Sequence, residues 1–303
     1  MPFRIRDDVA HAMEDGRGVV ALETTLICHG LPRPGNRAFA HRLEEVVRQA
    51  GAVPATIGVL DGAIRVGLTA EEIDRIATAD DVLKASTREL AFAVATGRMA
   101  ATTVASTIHV AGKVGISIMA TGGLGGVHRG GESSLDVSAD LGELARQPVA
   151  VVCAGAKIIL DLARTLEVLE SLSVPVLGLG TGEFPGFYTA ETGLPVRRVD
   201  GIEELARLVH AQRAIDPGVG IVVAQKPPAE LALSARAAEA LVSDAIAAAR
   251  SAKVTGAAET PYVLAHMAER SRGTTVALNE ALVLENARVA AELAAVLART
   301  ARP

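Results

Sequence analysis

The sequence predicts an α/β protein in which helices cover a largely parallel sheet. Three observations carry that prediction. Short apolar runs alternate with amphipathic stretches, Gly and Pro cluster at the joins, and half of the 303 residues are hydrophobic. That is enough apolar material for one large core.

GVVALE (18–23) reads as a buried strand, and NRAFAHRLEEVVRQAG (36–51) as the amphipathic helix that follows. PATIGVLD (54–61), VGISIMAT (114–121), PVAVVCAG (148–155), VPVLGLG (174–180) and GIVVAQ (220–225) repeat the strand pattern, and a shorter strand is expected at 81–84. In AKIILDLARTLEVLES (156–171), Ile158, Leu162, Leu166 and Leu169 recur at spacings of three and four, which predicts a helix. The Ala-rich stretch 229–254 reads as one or two helices, and NEALVLENARVAAELAAVLA (279–298) as another. With no Ser/Pro-rich linker and no internal repeat, residues 1–303 are expected to form a single domain.

Composition narrows the function. Net charge is −5 with both signs interspersed, which argues against a nucleic-acid partner. Cys28 and Cys153 lie far apart in apolar stretches and match no metal spacing; a reduced, cytoplasmic protein is the expectation. The start, MPFRIRDDVAHAMEDG, has charges where a signal peptide needs an apolar segment. Every apolar run is broken well short of the ~18 residues that a membrane span requires.

Four stretches could carry chemistry. In ALETTLICHGLPRPGN (21–36), Glu23 sits at a strand end, where partial burial raises a carboxyl pKa toward working pH; it is either a general acid–base or the cap of the next turn. In ATGGLGGVHRGGESSLDVSADL (120–141), a Gly-rich loop could cradle an anion, with Arg129 adding charge; it has neither P-loop nor dinucleotide-fingerprint spacing. Asp136, Ser138 and Asp140 there could hold a hard divalent ion, or Ser138 or Asp140 could cap a helix. In VVCAGAKIIL (151–160), Lys157 interrupts an apolar run. If it lies in the first turn of a helix, dipole and burial both lower its pKa, as a nucleophilic amine needs; a snorkelling lysine is the alternative. GLGTGEFPGFY (178–188) holds three of the seven Phe and Tyr residues within five positions, the makings of a lid, a base-stacking wall or a packed loop.

Taken together and in order, these stretches resemble the pseudouridine-5′-phosphate glycosidase (indigoidine synthase A-like) family. PATIGVLDGAIRVGL, LKASTREL, MATGGLGGVHRGGE, DVSADLGELARQPVAVVCAGAKIILDL, GTGEFPGFY and LNEALVLENARVAAELA extend the resemblance through almost the whole chain. The resemblance implies a three-layer α/β/α fold with a largely parallel or mixed central sheet, and a homotrimer. It also implies cleavage of the C–C glycosidic bond of pseudouridine 5′-phosphate to uracil and ribose 5-phosphate, with one divalent ion per subunit, usually Mn2+.

Carried onto matching positions, Glu23 is the proton donor and Lys157 the covalent nucleophile. Lys84 holds the phosphate, and Asp136 binds the metal through ordered water. Val104, Ser138, Ala139 and Asp140 line the substrate site, with Thr121, His128 and Asn279 as further contacts. Arg33, Gly35, Ala100-Ala101 and Gly182 depart from the family pattern, which touches loop geometry and rates rather than the reaction. The same fold acting on another C-linked nucleotide, a Schiff-base aldolase and a sugar-phosphate-binding regulator are the competing readings. A separate pseudouridine kinase is expected to supply the phosphorylated substrate.

Overall fold

The computed structural model describes residues 3–131, 135–254 and 259–300. Its centre is an 11-stranded mixed sheet. The main path runs through Phe3–Ile5, Ala63–Val66, Val53–Leu60, Val19–Leu22, Ile118–Ala120, Ala150–Cys153, Ile221–Gln225, Val176–Leu179 and Arg197–Val199. From Val53–Leu60 onward along this path every pairing is parallel. The antiparallel pairs gather on the other side, where Val53–Leu60 meets both Ala63–Val66 and Ala100–Thr102. Leu83–Ala85 then pairs parallel to Ala100–Thr102. A second, two-stranded element joins Val127–His128 to Leu160–Asp161.

Helices cover both faces of the sheet, as the sequence predicts. The helix Thr274–Thr300 crosses the central strands Val19–Leu22, Ile118–Ala120 and Ala150–Cys153 and packs beside Gly35–Gln49 and Ile202–Ile215. Strands buried on both sides need unbroken apolar runs. Val19–Leu22, Ala150–Cys153 and Ile221–Gln225 are buried at every position. With few aromatics, the core is mostly Ala, Val, Leu and Ile, continuous from the sheet into the long C-terminal helix. Among the described residues no helix is long and apolar enough to cross a membrane.

Two expected elements have different bounds, and both differences matter. The expected strand 114–121 is shorter: Val104–Val114 is a helix capped by left-handed Gly115, and the strand begins at Ile118. The expected helix 156–171 begins only at Leu162, with Asp161 accepting from the Arg164 N–H as N-cap. Lys157 therefore does not lie in a first helical turn, and the dipole argument for it falls away. Residues 154–159 form an irregular segment instead, held by the Gly-rich loop: Leu124 N–H donates to Gly155 O, and Lys157 N–H donates to Leu124 O. Tertiary pairing overrides a helical spacing that was genuine only from Leu162 onward.

Candidate active site

The C-terminal ends of the parallel strands open onto a cavity of about 740 Å³, the usual location of a ligand site in an α/β sheet. Glu23, Lys84, Val104, Thr121, His128, Asp136, Ser138, Ala139, Asp140, Lys157 and Asn279 all line it. They come from segments up to 256 positions apart in sequence, counting from Glu23 to Asn279 (279 − 23).

Glu23 follows the strand Val19–Leu22 and is buried, accepting a short hydrogen bond from the Thr121 hydroxyl. Burial raises its pKa; Lys157, the Thr121 hydroxyl and Lys84 oppose that rise, while Asp140 adds to it. The result is a carboxyl held toward its protonated form within the electrostatic reach of two lysines. Lys84 lies in the strand Leu83–Ala85, and its pKa is lowered by burial and then by Lys157, with Glu23 and Asp140 opposing.

The Gly-rich loop is shaped by what packs against it. Asp140 directs one carboxylate oxygen to the Ala105 N–H (2.8 Å) in the first turn of Val104–Val114, and the other to the Gly125 N–H (2.7 Å). A Cβ at Gly125 would stand 2.3 Å from Ser138 Oγ and 2.8 Å from Asp140 Oδ2. Only glycine permits that approach. Gly155, with φ +77°, is tighter still: a Cβ there would lie 1.8 Å from the Pro185 carbonyl. This contact sets the entry to the Lys157 segment.

Of the two readings of the Asp136–Ser138–Asp140 cluster, the cap is realised for Ser138. Its hydroxyl accepts from the Asp140 N–H at the start of Ala139–Leu144. Asp140 is committed to backbone donors. Asp136 is the exposed carboxylate, with His128 Nδ1 3.9 Å away. Among the described residues no three His, Cys, Asp or Glu side chains are grouped to hold a metal directly; residues 132–134 of this stretch lie outside them. Asp136, the exposed one of the described carboxylates on the wall, fits an ion that keeps most of its own waters, as Mg2+-like hard cations do.

Phe187 and His29 line the cavity without being among the site residues expected from the sequence. Phe187, buried on the wall with its backbone at φ +62°, packs so closely on the Gly-rich loop that a Cβ at Gly123 would stand 2.6 Å from its ring. A bulky residue in the left-handed region marks a position over-determined by its surroundings. The aromatic cluster of 178–188 was the available signal. His29, in the π-helical turn Leu26–Gly30, presents a buried Nε2 that bonds to no protein atom; burial, then Lys84 and Arg33, lower its pKa. Asn279 Oδ1 is likewise buried and unbonded. Unsatisfied polar atoms on a cavity wall are groups awaiting a ligand or water. Of the departures from the family pattern, Arg33 pairs with Asp80 (2.9 Å), Ala100 and Ala101 are buried in a strand, and Gly182 faces open space.

Comparison with known proteins finds relatives over nearly the whole chain. The sequence model of the family described as indigoidine synthase A-like protein matches residues 8–296. A relative from Herpetosiphon aurantiacus named pseudouridine-5′-phosphate glycosidase is 52% identical, with 96% of each chain covered. Another so named, from Methylobacterium nodulans, is 48% identical over 100% of this chain and 92% of its own. Among solved structures, the prealnumycin C-glycosynthase AlnA in complex with ribulose 5-phosphate superposes with a TM-score of 0.91 at 36% identity, covering 98% of this chain and 97% of that one. An indigoidine synthase A-like protein from Thermotoga maritima gives 0.89 at 34%, with the same coverage.

Proposed function

The chain belongs to the indigoidine synthase A-like family, and from that premise we propose that it cleaves the C–C glycosidic bond of pseudouridine 5′-phosphate to uracil and ribose 5-phosphate, a reaction reversible in principle. The observation that carries the reading is the company Lys157 keeps. An amine, a carboxyl held toward its acid form and a second cation share one cavity. Binding a sugar phosphate alone requires neither Glu23 nor Lys157.

In an ordinary glycosidase a leaving oxygen is protonated. Here the leaving atom is carbon, with no lone pair, so the sugar needs an electron sink. The ring C–O bond opens with its electron pair on oxygen, which takes a proton from Glu23. The Lys157 amine forms a bond to the anomeric carbon. Protonation of the uracil carbon then lets the C–C bond break, its electron pair staying with uracil, and leaves an iminium on Lys157. Water hydrolyses the iminium, releasing ribose 5-phosphate. Ribulose 5-phosphate, the ligand of the AlnA complex, cannot close a furanose ring because its 5-hydroxyl is esterified. Such an open-chain sugar phosphate supports a ring-opened route. Phe187 offers a face for the uracil, and His29, His128 and Asn279 offer polar contacts.

A divalent ion near Asp136, Mn2+ in this reading, would polarise the base and orient water. The function is tested by mass spectrometry of products after incubation with pseudouridine 5′-phosphate and Mn2+. Uracil and ribose 5-phosphate are expected, with turnover lost on verified chelation and restored by Mn2+, and Asp136→Ala folded but inactive. Intact substrate would overturn the reaction, and full activity without metal would overturn the ion's role. We further propose a homotrimer, so light scattering of the same sample should report three chains.

Lys84 in this scheme serves the phosphate. Lys84→Ala is expected to cost about 2–4 kcal/mol of binding to the phosphorylated substrate, the usual loss when a buried charge partner is truncated. Titration with unphosphorylated pseudouridine should show a much smaller change. Equal losses for both ligands would move the phosphate elsewhere.

A further inference from the structure

We propose that Asn286, two turns beyond Asn279 on the helix Thr274–Thr300, is a positioning residue for the proton donor, acting through the Thr121–Gly122 backbone, with Gln225 fixing its orientation. The inference rests on the role given above to Glu23. Asn286 is 1% exposed and is not part of the cavity wall. Its Nδ2 donates to Thr121 O (2.7 Å) and Gly122 O (3.3 Å), and its Oδ1 accepts from Gln225 Nε2 (2.8 Å). Two carbonyls can only accept, so the carboxamide has one allowed orientation, and Gln225 at the end of Ile221–Gln225 completes it from the other side.

The consequence follows from peptide geometry. In a trans peptide the C=O and the next N–H point in opposite directions. Holding the Thr121 carbonyl toward the long helix, and the Gly122 carbonyl jointly with the Ala154 N–H, turns the Gly122 and Gly123 N–H groups the other way, and keeps two carbonyl oxygens out of the cavity that Gly122 and Gly123 line. It also sets the Thr121 backbone from which the hydroxyl reaches Glu23. A buried asparagine bridging two strand ends and a helix is a costly choice unless every partner is satisfied. Here each side of the carboxamide is.

The test uses the full-length protein. Asn286→Leu keeps the branched heavy-atom shape and removes the donor; Gln225→Met leaves Asn286 in place but removes the donor that anchors its Oδ1. With pseudouridine 5′-phosphate, kcat is expected to fall about tenfold to hundredfold for Asn286→Leu, as for a misplacement of order 1 Å, with KM much less affected. Gln225→Met should show a smaller fall in the same direction.

The pH profile separates positioning from mere structure. Glu23 feels Lys157, Lys84 and Asp140 in every variant, whereas the Thr121 hydroxyl that favours its carboxylate is the contact at stake. The limb governed by Glu23 should therefore move to higher pH in Asn286→Leu and in Thr121→Val alike, and the double variant should move it no further. A folded Asn286→Leu with an unmoved limb, or with losses additive to those of Thr121→Val, would overturn the proposal. If Asn286→Leu does not fold, an unmoved limb in Gln225→Met overturns it equally. The 13C-carboxyl resonance absent from Glu23→Gln reads the same shift without turnover, which distinguishes failure of this proposal from failure of the glycosidase reading.

Discussion

Lys157→Arg should bind substrate yet turn it over at a rate near background. Guanidinium keeps the charge but does not deprotonate at working pH, so it cannot supply the electron pair for a carbon–nitrogen bond. Lys157→Ala should be equally inactive, because removing a covalent nucleophile eliminates the route rather than weakening one contact. Borohydride added during turnover of the wild type should reduce the imine to a secondary amine. The protein then gains the mass of a reduced ribose phosphate, and peptide mapping places it on Lys157.

The two variants should differ at Glu23. The Lys157 charge holds the Glu23 pKa down against burial, so Lys157→Ala should let it rise further, while Lys157→Arg should not. An adduct on Lys84 instead would sink the scheme. So would more than about a tenth of wild-type rate in Lys157→Arg, a loss of only ~1.4 kcal/mol.

Glu23→Gln is expected to lower turnover by about 10²–10⁴-fold, the usual worth of a positioned acid–base group. Gln still accepts the Thr121 hydroxyl bond, so affinity for ribose 5-phosphate should hold. Stability should respond with a definite sign. Burial raises the folded-state pKa of Glu23 above its ordinary 4.5. Its contribution is therefore most favourable below that ordinary value and is lost as pH rises through the folded pKa. Glu23→Gln cannot ionise, so at pH 8 it should melt no lower than the wild type. Any advantage should shrink as pH falls toward 4.5. A variant that melts well below the wild type at pH 8 would mean the carboxylate is stabilising in place, against the burial argument.

Much of the fold was legible along the chain because strands buried on both faces must be apolar throughout. GVVALE, PVAVVCAG and GIVVAQ announce themselves, and each begins or ends within two residues of its observed strand. The short strands Phe3–Ile5, Ala63–Val66, Ala100–Thr102 and Arg197–Val199 do not. Three or four residues carry too little periodicity to stand out. Asp161 before Leu162 is the N-cap signal that marks the true start, hidden behind an apolar spacing that begins at Ile158.

The α/β class, the long C-terminal helix and the anomaly of a lysine in VVCAGAKIIL are all readable along the chain, because each is a local pattern of residue type and spacing. Tertiary structure alone decided that Lys157 stands in an irregular segment held by Leu124 rather than on a helix. It also decided that Asp140 ties two backbone segments while Asp136 stands on the cavity wall beside His128, and that Asn286 reaches Thr121 across 165 positions. These depend on which distant backbone groups meet at the strand ends. That is set by the summed packing of the sheet and its covering helices, not by any local preference of the residues concerned.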